Sequence, residues 1–309
     1  MTQGAPAAPG LSAQAAPPMP AAQPGLFALC AVVFKLRIGF AIALSALGGA
    51  VLAAGQWPAL IDTAVLVVSV LLASSGAGGF NHWFDRDIDA LMGRTRSRPF
   101  ANGQLEPSRL WPLAFFLMIA LGTLLGVWWF NWASGLFVLA GALTYVLIYT
   151  VWLKRRTHWN IVIGGAAGSW AVFAGAAAEG AAFAPAVLLL AAVLFLWTPS
   201  HFWSLATAVA DDYRRAGVPM LPVTHGRTAA LRWNLLNTLV LVACTVLLAA
   251  VVNKPVLWLG VLAGSGWLLW TTWAMVRDPQ PKIATRAFRA SLLQLGALLV
   301  ALFAVFLIP

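Results

Sequence analysis

Residues 58–100 read PALIDTAVLVVSVLLASSGAGGFNHWFDRDIDALMGRTRSRPF, and the change of character at Asn81 decides the fold. From Pro58 to Phe80 there is one acid, Asp62, and no base; then Asp85, Arg86, Asp87, Asp89, Arg94, Arg96 and Arg98 arrive together. An apolar run of this length suits a helix crossing a hydrocarbon core about 30 Å thick, which takes roughly 20 residues. The charges that follow mark where the chain leaves that core.

The rest of the chain repeats the pattern. Hydrophobic residues make up 61% and charged residues 9%, with a mean hydropathy of +0.85, which excludes a water-soluble domain. Period-2 alternation is absent, so helices rather than a barrel must satisfy the backbone in lipid. Apolar segments fall at about 36–54, 57–79, 109–129, 132–152, 160–178, 183–207, 231–252, 255–276 and 287–308. They predict an all-α integral membrane protein of nine helices. Residues 1–25, rich in Ala and Pro, are expected to form a disordered tail, leaving 26–309 as the membrane domain. Cys30 and Cys244 lie far apart in apolar surroundings and read as small core residues rather than a disulfide.

Eighteen of the nineteen Lys and Arg residues fall in connections of one parity, and only Lys254 lies in the other. Since cytoplasmic loops retain basic residues, the expectation is a bacterial inner-membrane protein with its N-terminus in the cytoplasm and its C-terminus in the periplasm. The net charge of +10 is then topology, and no nucleic-acid partner is needed to explain it. The acids are not explained this way, because Asp85, Asp87, Asp89, Glu106, Asp211 and Asp212 share the same connections as the bases.

If the second helix continues past Phe80, Asn81, Asp85 and Asp89 lie on one face and Asp87 on the opposite one. Two carboxylates and an amide aimed into a bundle repel unless a cation sits among them. Magnesium suits that role, because it takes one or two carboxylates and completes its shell with water and phosphate oxygens. Arg94, Arg96 and Arg98, with Lys154, Arg155 and Arg156 across the bundle, could hold the remaining phosphate charge. The same acids could instead pair with Arg86 and the Arg94–Arg98 group as a solvated loop; spacing alone leaves both readings open.

NHWFDRDIDALMGRTRSRP resembles the NxxxDxxxD region of the intramembrane prenyltransferases of the UbiA superfamily. YTVWLKRRTHWNIVIGGAAG and LWTPSHFWSLATAVADDYRRAGVPMLPVTHG resemble its haem-prenylating branch, the protohaem IX farnesyltransferases. The resemblance implies a nine-helix bundle that transfers the farnesyl group of farnesyl diphosphate to a vinyl group of haem b, with addition of water, using Mg2+. It implies metal binding by Asn81, Asp85, Asp89 and Asp212, and diphosphate binding by Asn81, Arg94, Arg98, Lys154 and Arg155. Asp85, Asp89, Lys154 and Asp212 carry catalysis in that picture. The product would serve terminal oxidase assembly, with a haem A synthase or assembly factors as partners. Ala208 stands four residues before Asp212, where quinone-prenylating relatives carry a second carboxylate.

His201 follows Pro199 in TPSHFW and reads either as a hydrogen-bonded interfacial histidine or as a haem contact. His82, His158 and His225 have no metal-binding spacing, and GGAAG at 164–168 reads as close helix packing. Two rival functions remain: prenylation of an aromatic quinone precursor of the 4-hydroxybenzoate or naphthoate type, and transport of an anionic lipid. A transporter would more often show inverted repeats and broken mid-membrane helices, and no sign of either is present in the sequence.

Overall fold

The computed structural model describes residues 25–307, so the expected N-terminal tail lies almost wholly outside the described residues, as does Pro309. Among the described residues nine helices are long and apolar enough to cross a membrane, and there is no strand. They are α1 (Leu36–Ala54), α2 (Leu60–Phe84), α3 (Leu110–Trp129), α4 (Trp132–Leu153), α5 (Asn160–Ala178), α6 (Pro185–Ala208), α7 (Gly226–Val252), α8 (Pro255–Arg277) and α9 (Pro281–Leu307). The chain is therefore a multi-pass membrane protein. Its outer surface agrees: Trp128, Leu110, Leu259 and Val300 are exposed, a placement that water would punish and lipid does not.

Short junctions make antiparallel neighbours. Asn131 caps α4 by accepting the Ser134 N–H at 2.9 Å, and its own amide donates to the Ala177 carbonyl at 2.7 Å. Asn253 ends α7 in the left-handed conformation (φ 51°), which lets the chain reverse into α8. Helices α7 and α9 begin about a turn before the expected segments, because Arg227, Lys282 and Arg286 ride on helical ends that hydropathy alone counts as loop. A short helix, Leu26–Val33, precedes α1, and Lys35 breaks the chain between them with φ 49°.

Side-chain size sets the packing inside. A Cβ on Gly49 of α1 would collide with the Val172 carbonyl, and one on Gly175 of α5 with the Ala46 carbonyl, so these two helices cross with their backbones nearly touching. One apolar core lies among α1 to α5 (Ala46, Val70, Phe115, Val146) and a second among α5 to α9 (Val172, Leu190, Leu248, Leu298). The long connections, 85–109 and 209–225, lie at the same end of the bundle, where Arg94 meets Asp212.

Candidate active site

The carboxylates are positioned by a helix that ends and immediately resumes. Helix α2 stops at Phe84, and a short helix, Arg86–Ala90, follows. The Asp85 N–H donates to Asn81 O at 3.0 Å and the Asp89 N–H to Asp85 O at 2.8 Å, so the four-residue spacing survives the break. Asn81, Asp85 and Asp89 are all buried, with 2%, 0% and 2% exposure, so this is not a solvated loop.

Each buried acid meets a base from another element. Asp85 Oδ2 accepts from Asn81 Nδ2 at 2.7 Å and pairs with Lys154 Nζ, while Arg155 approaches Asp85 Oδ1 at 3.4 Å. Asp89 Oδ2 accepts from Arg98 Nη1 at 2.7 Å. Lys154 arrives there because the second half of α4, Thr144–Leu153, is wound as a π-helix, closing with Lys154 N to Tyr149 O at 2.9 Å. Such wider turns recur at functional sites because they re-aim side chains. Asp87 points outward with 60% side-chain exposure and makes two 2.7 Å bonds to Arg155, whose guanidinium holds its carboxyl below the usual range.

Lys35, which reads in the sequence only as a topology base, belongs to this cluster. Its Nζ donates to Asn81 Oδ1 at 2.6 Å and to Tyr145 Oη at 3.0 Å, and Asn81 Nδ2 also reaches Thr150 Oγ1 at 3.0 Å. A left-handed non-glycine backbone at Lys35 is uncommon and is held by these contacts. The two buried carboxylates pair with Lys154 and Arg98, and Lys35 reaches Asp85 only through Asn81; burial, with Arg98 and Lys154 nearby, pulls the Lys35 ammonium well below the usual lysine range. An anionic ligand beside it would favour its charged form again.

The second acidic segment is built differently. In the short helix Ala210–Arg215, Asp211 pairs with Arg214 and Asp212 with Arg215, with side-chain exposures of 83% and 15%. Asp212 Oδ2 also accepts the Arg94 N–H at 3.4 Å, which brings it against the loop carrying the first acids, whereas Asp211 turns to solvent. The Arg94 side chain is exposed. Tyr213, Val218 and Met220 anchor the segment by packing on Ile88, Met92 and Ile161.

His201 lies in α6 with its ring stacked on Trp197 (4.3 Å), tilted against Phe288 (4.4 Å), and with Nδ1 2.8 Å from Ser291 Oγ. Its contacts face α9 rather than α2. Helix α6 runs through Pro199 unbroken, and Asn237 Nδ2 donates to Leu196 O at 2.6 Å near the interrupted backbone ladder. GGAAG meets α4 and α6: Gly164 lies against the Tyr149 ring and Gly165 against the Phe195 carbonyl. His158 and His225 bring their rings within 4.3 Å of each other in two exterior loops.

Among the described residues no three His, Cys, Asp or Glu side chains gather to cage an ion. The buried donors are two carboxylates and an amide, all hard oxygen ligands and too few to complete a shell. Such a set fits magnesium shared with phosphate oxygens better than a wholly protein-held metal. Below the cluster, an apolar cavity opens between α1, α2, α4 and α5, with Lys35 and Tyr145 at its polar end.

The sequence profile of the UbiA prenyltransferase family matches residues 42–307. Protoheme IX farnesyltransferase 2 of Paramagnetospirillum magneticum is 49% identical, over 88% of this chain and 94% of its own. Protoheme IX farnesyltransferase of Symbiobacterium thermophilum is 39% identical, over 87% and 90%. Among solved structures, a digeranylgeranylglyceryl phosphate synthase superposes with a TM-score of 0.73 at 14% identity, covering 90% of this chain and 97% of that one. A UbiA homologue from Archaeoglobus fulgidus bound to GPP and Mg2+ does so at 0.66 and 15% identity, covering 89% and 99%. Motifs, nine-helix bundle and relatives agree, and the chain belongs to the UbiA prenyltransferase family.

Proposed function

We propose that this chain transfers the farnesyl group of farnesyl diphosphate to a vinyl group of haem b, with addition of water, giving haem O for terminal oxidase assembly. The buried cluster of Asn81, Asp85 and Asp89 with Lys35, Lys154 and Arg98 at the head of an apolar cavity carries the prenyl diphosphate half of that reading. The haem half rests on the relatives named protoheme IX farnesyltransferase, and prenylation of a quinone precursor is not favoured.

Asn81, Asp85 and Asp89, with Asp212 closing from the second segment, would hold magnesium, which neutralises diphosphate charge and so improves the leaving group. Lys154 and Arg98, which pair with those carboxylates, would together with Arg155 and Arg94 contact the diphosphate and stabilise its departure. The farnesyl tail lies in the apolar cavity, whose walls keep water from the allylic cation at C1. The haem vinyl carbon attacks C1; water captures the resulting cation and loses a proton, leaving a hydroxyethylfarnesyl group and free diphosphate. His201 would meet the macrocycle. The chemistry faces the cytoplasm of a bacterial inner membrane, with the C-terminus in the periplasm and a haem A synthase or oxidase assembly factor receiving the product.

The test is mass spectrometry of haem extracted from membranes given haem b, farnesyl diphosphate and magnesium. A species heavier by one farnesyl group and one hydroxyl is expected. Unmodified haem together with prenylated 4-hydroxybenzoate would overturn the assignment.

A further inference from the structure

The apolar cavity has a polar end and an aromatic end. Lys35 and Tyr145 close it beside Asn81; Gly39, Gly78 and Gly141 are part of its lining; Phe137 stands at the other end. The Phe137 ring is stacked on Trp170 (5.8 Å, 18° between planes), tilted against Phe173 (5.6 Å) and edge-on to Phe183 (6.3 Å). A ring gripped on three sides gives way less readily than an aliphatic chain with free rotamers. Tyr145 and Phe137 lie eight residues apart on α4, which is about 12 Å at a rise of 1.5 Å per residue. An isoprene unit spans roughly 5 Å at ordinary carbon–carbon bond lengths. Three units, with the first carbons held among the polar groups, fill that depth. A fourth meets the rings.

We propose that Phe137 is the floor that sets prenyl chain length, admitting a fifteen-carbon tail and refusing a twenty-carbon one. This rests on the reading above, in which the diphosphate head lies at Asn81 and Asp85. The carboxylates and bases are indifferent to tail length, since they touch only the head. Discrimination must therefore come from the hydrocarbon end, where added carbons either find space or collide.

Membranes carrying the wild type, Phe137→Ala or Gly141→Leu are given haem b, magnesium and an equal mixture of geranyl, farnesyl and geranylgeranyl diphosphates, and the prenylated haems are separated by mass. The wild type should yield mainly the farnesyl product. In Phe137→Ala the geranylgeranyl-to-farnesyl ratio should rise about tenfold or more, the scale on which hydrophobic pockets discriminate added carbons. Gly141 lies one turn nearer the polar end and lines the cavity, and a Cβ added there would stand in ordinary contact, 3.4 Å from Ala167 O and 3.5 Å from Trp170 Cβ, so the position admits a side chain. In Gly141→Leu the geranyl-to-farnesyl ratio should rise. Unchanged ratios in both active variants overturn the proposal. If Phe137→Ala does not fold, Gly141→Leu decides alone: a shift toward geranyl supports the floor and an unchanged ratio overturns it. A wild type that prenylates no haem with any of the three refutes the proposed activity itself, a result distinct from lost length selection.

Discussion

The two acidic segments carry the same residue types at the same end of the bundle and are built in opposite ways. Asp85 and Asp89 are buried, and their bases arrive from other elements: Lys154 from the end of α4 and Arg98 from the following loop. Asp211 and Asp212 pair with Arg214 and Arg215 one turn away on their own short helix, and Asp211 is 83% exposed. Local exposed pairs contribute little, since solvent screens them and ordering them costs entropy. Pairs assembled from distant elements in a dry site are expensive to keep unless they bind something. In the proposed function, that difference puts the first segment at the centre of the diphosphate site and Asp212 at its edge.

The largest effect should follow from breaking the first segment. Asp85→Asn or Asp89→Asn is expected to lower farnesyl transfer by about a hundredfold to a thousandfold, the scale of removing one preorganised electrostatic group, measured as product formed per folded protein. Chelating magnesium with EDTA should abolish turnover in the wild type, and re-adding the ion should restore it. Lys35→Met should come next, at about a hundredfold, because it removes the base that holds Asn81 Oδ1 and Tyr145. Asp212→Asn should cost about tenfold, as expected for a group that touches the site from the loop side only.

Asp87→Asn should be nearly silent. Its exposed pair with Arg155 contributes about 0–1 kcal/mol. Arg155 depresses the Asp87 carboxyl in the folded chain, so this small stabilisation is present above the unfolded pKa of about 3.9 and is lost as pH falls through the folded value. Thermal unfolding in detergent between pH 5 and 8 should show no step from this group. A loss at Asp87 as large as at Asp85 would erase the distinction between inward and outward acids.

Much of this was legible in the sequence because lipid imposes strong rules. Uninterrupted apolar runs give the helices, and the four-residue spacing of Asn81, Asp85 and Asp89 places them together even though α2 breaks at Phe84. Lys35 was not legible: a base beside the first apolar run is what membrane topology requires anyway, and only the crossing of α1, α2 and α4 reveals its bonds to Asn81 and Tyr145. The π-helix before Lys154 was equally hidden, since hydropathy does not distinguish one helical winding from another. His201 was singled out from its motif, yet its contacts with Phe288 and Ser291 depend on α9, some ninety residues further along.

The most direct measurement is binding of labelled farnesyl diphosphate to purified protein, with and without magnesium, in the wild type, Asp85→Asn and Asp211→Asn. Magnesium-dependent binding should be strong in the wild type, unchanged in Asp211→Asn and lost in Asp85→Asn. Equal binding in all three, or binding that ignores magnesium, would contradict a diphosphate site centred on the buried carboxylates.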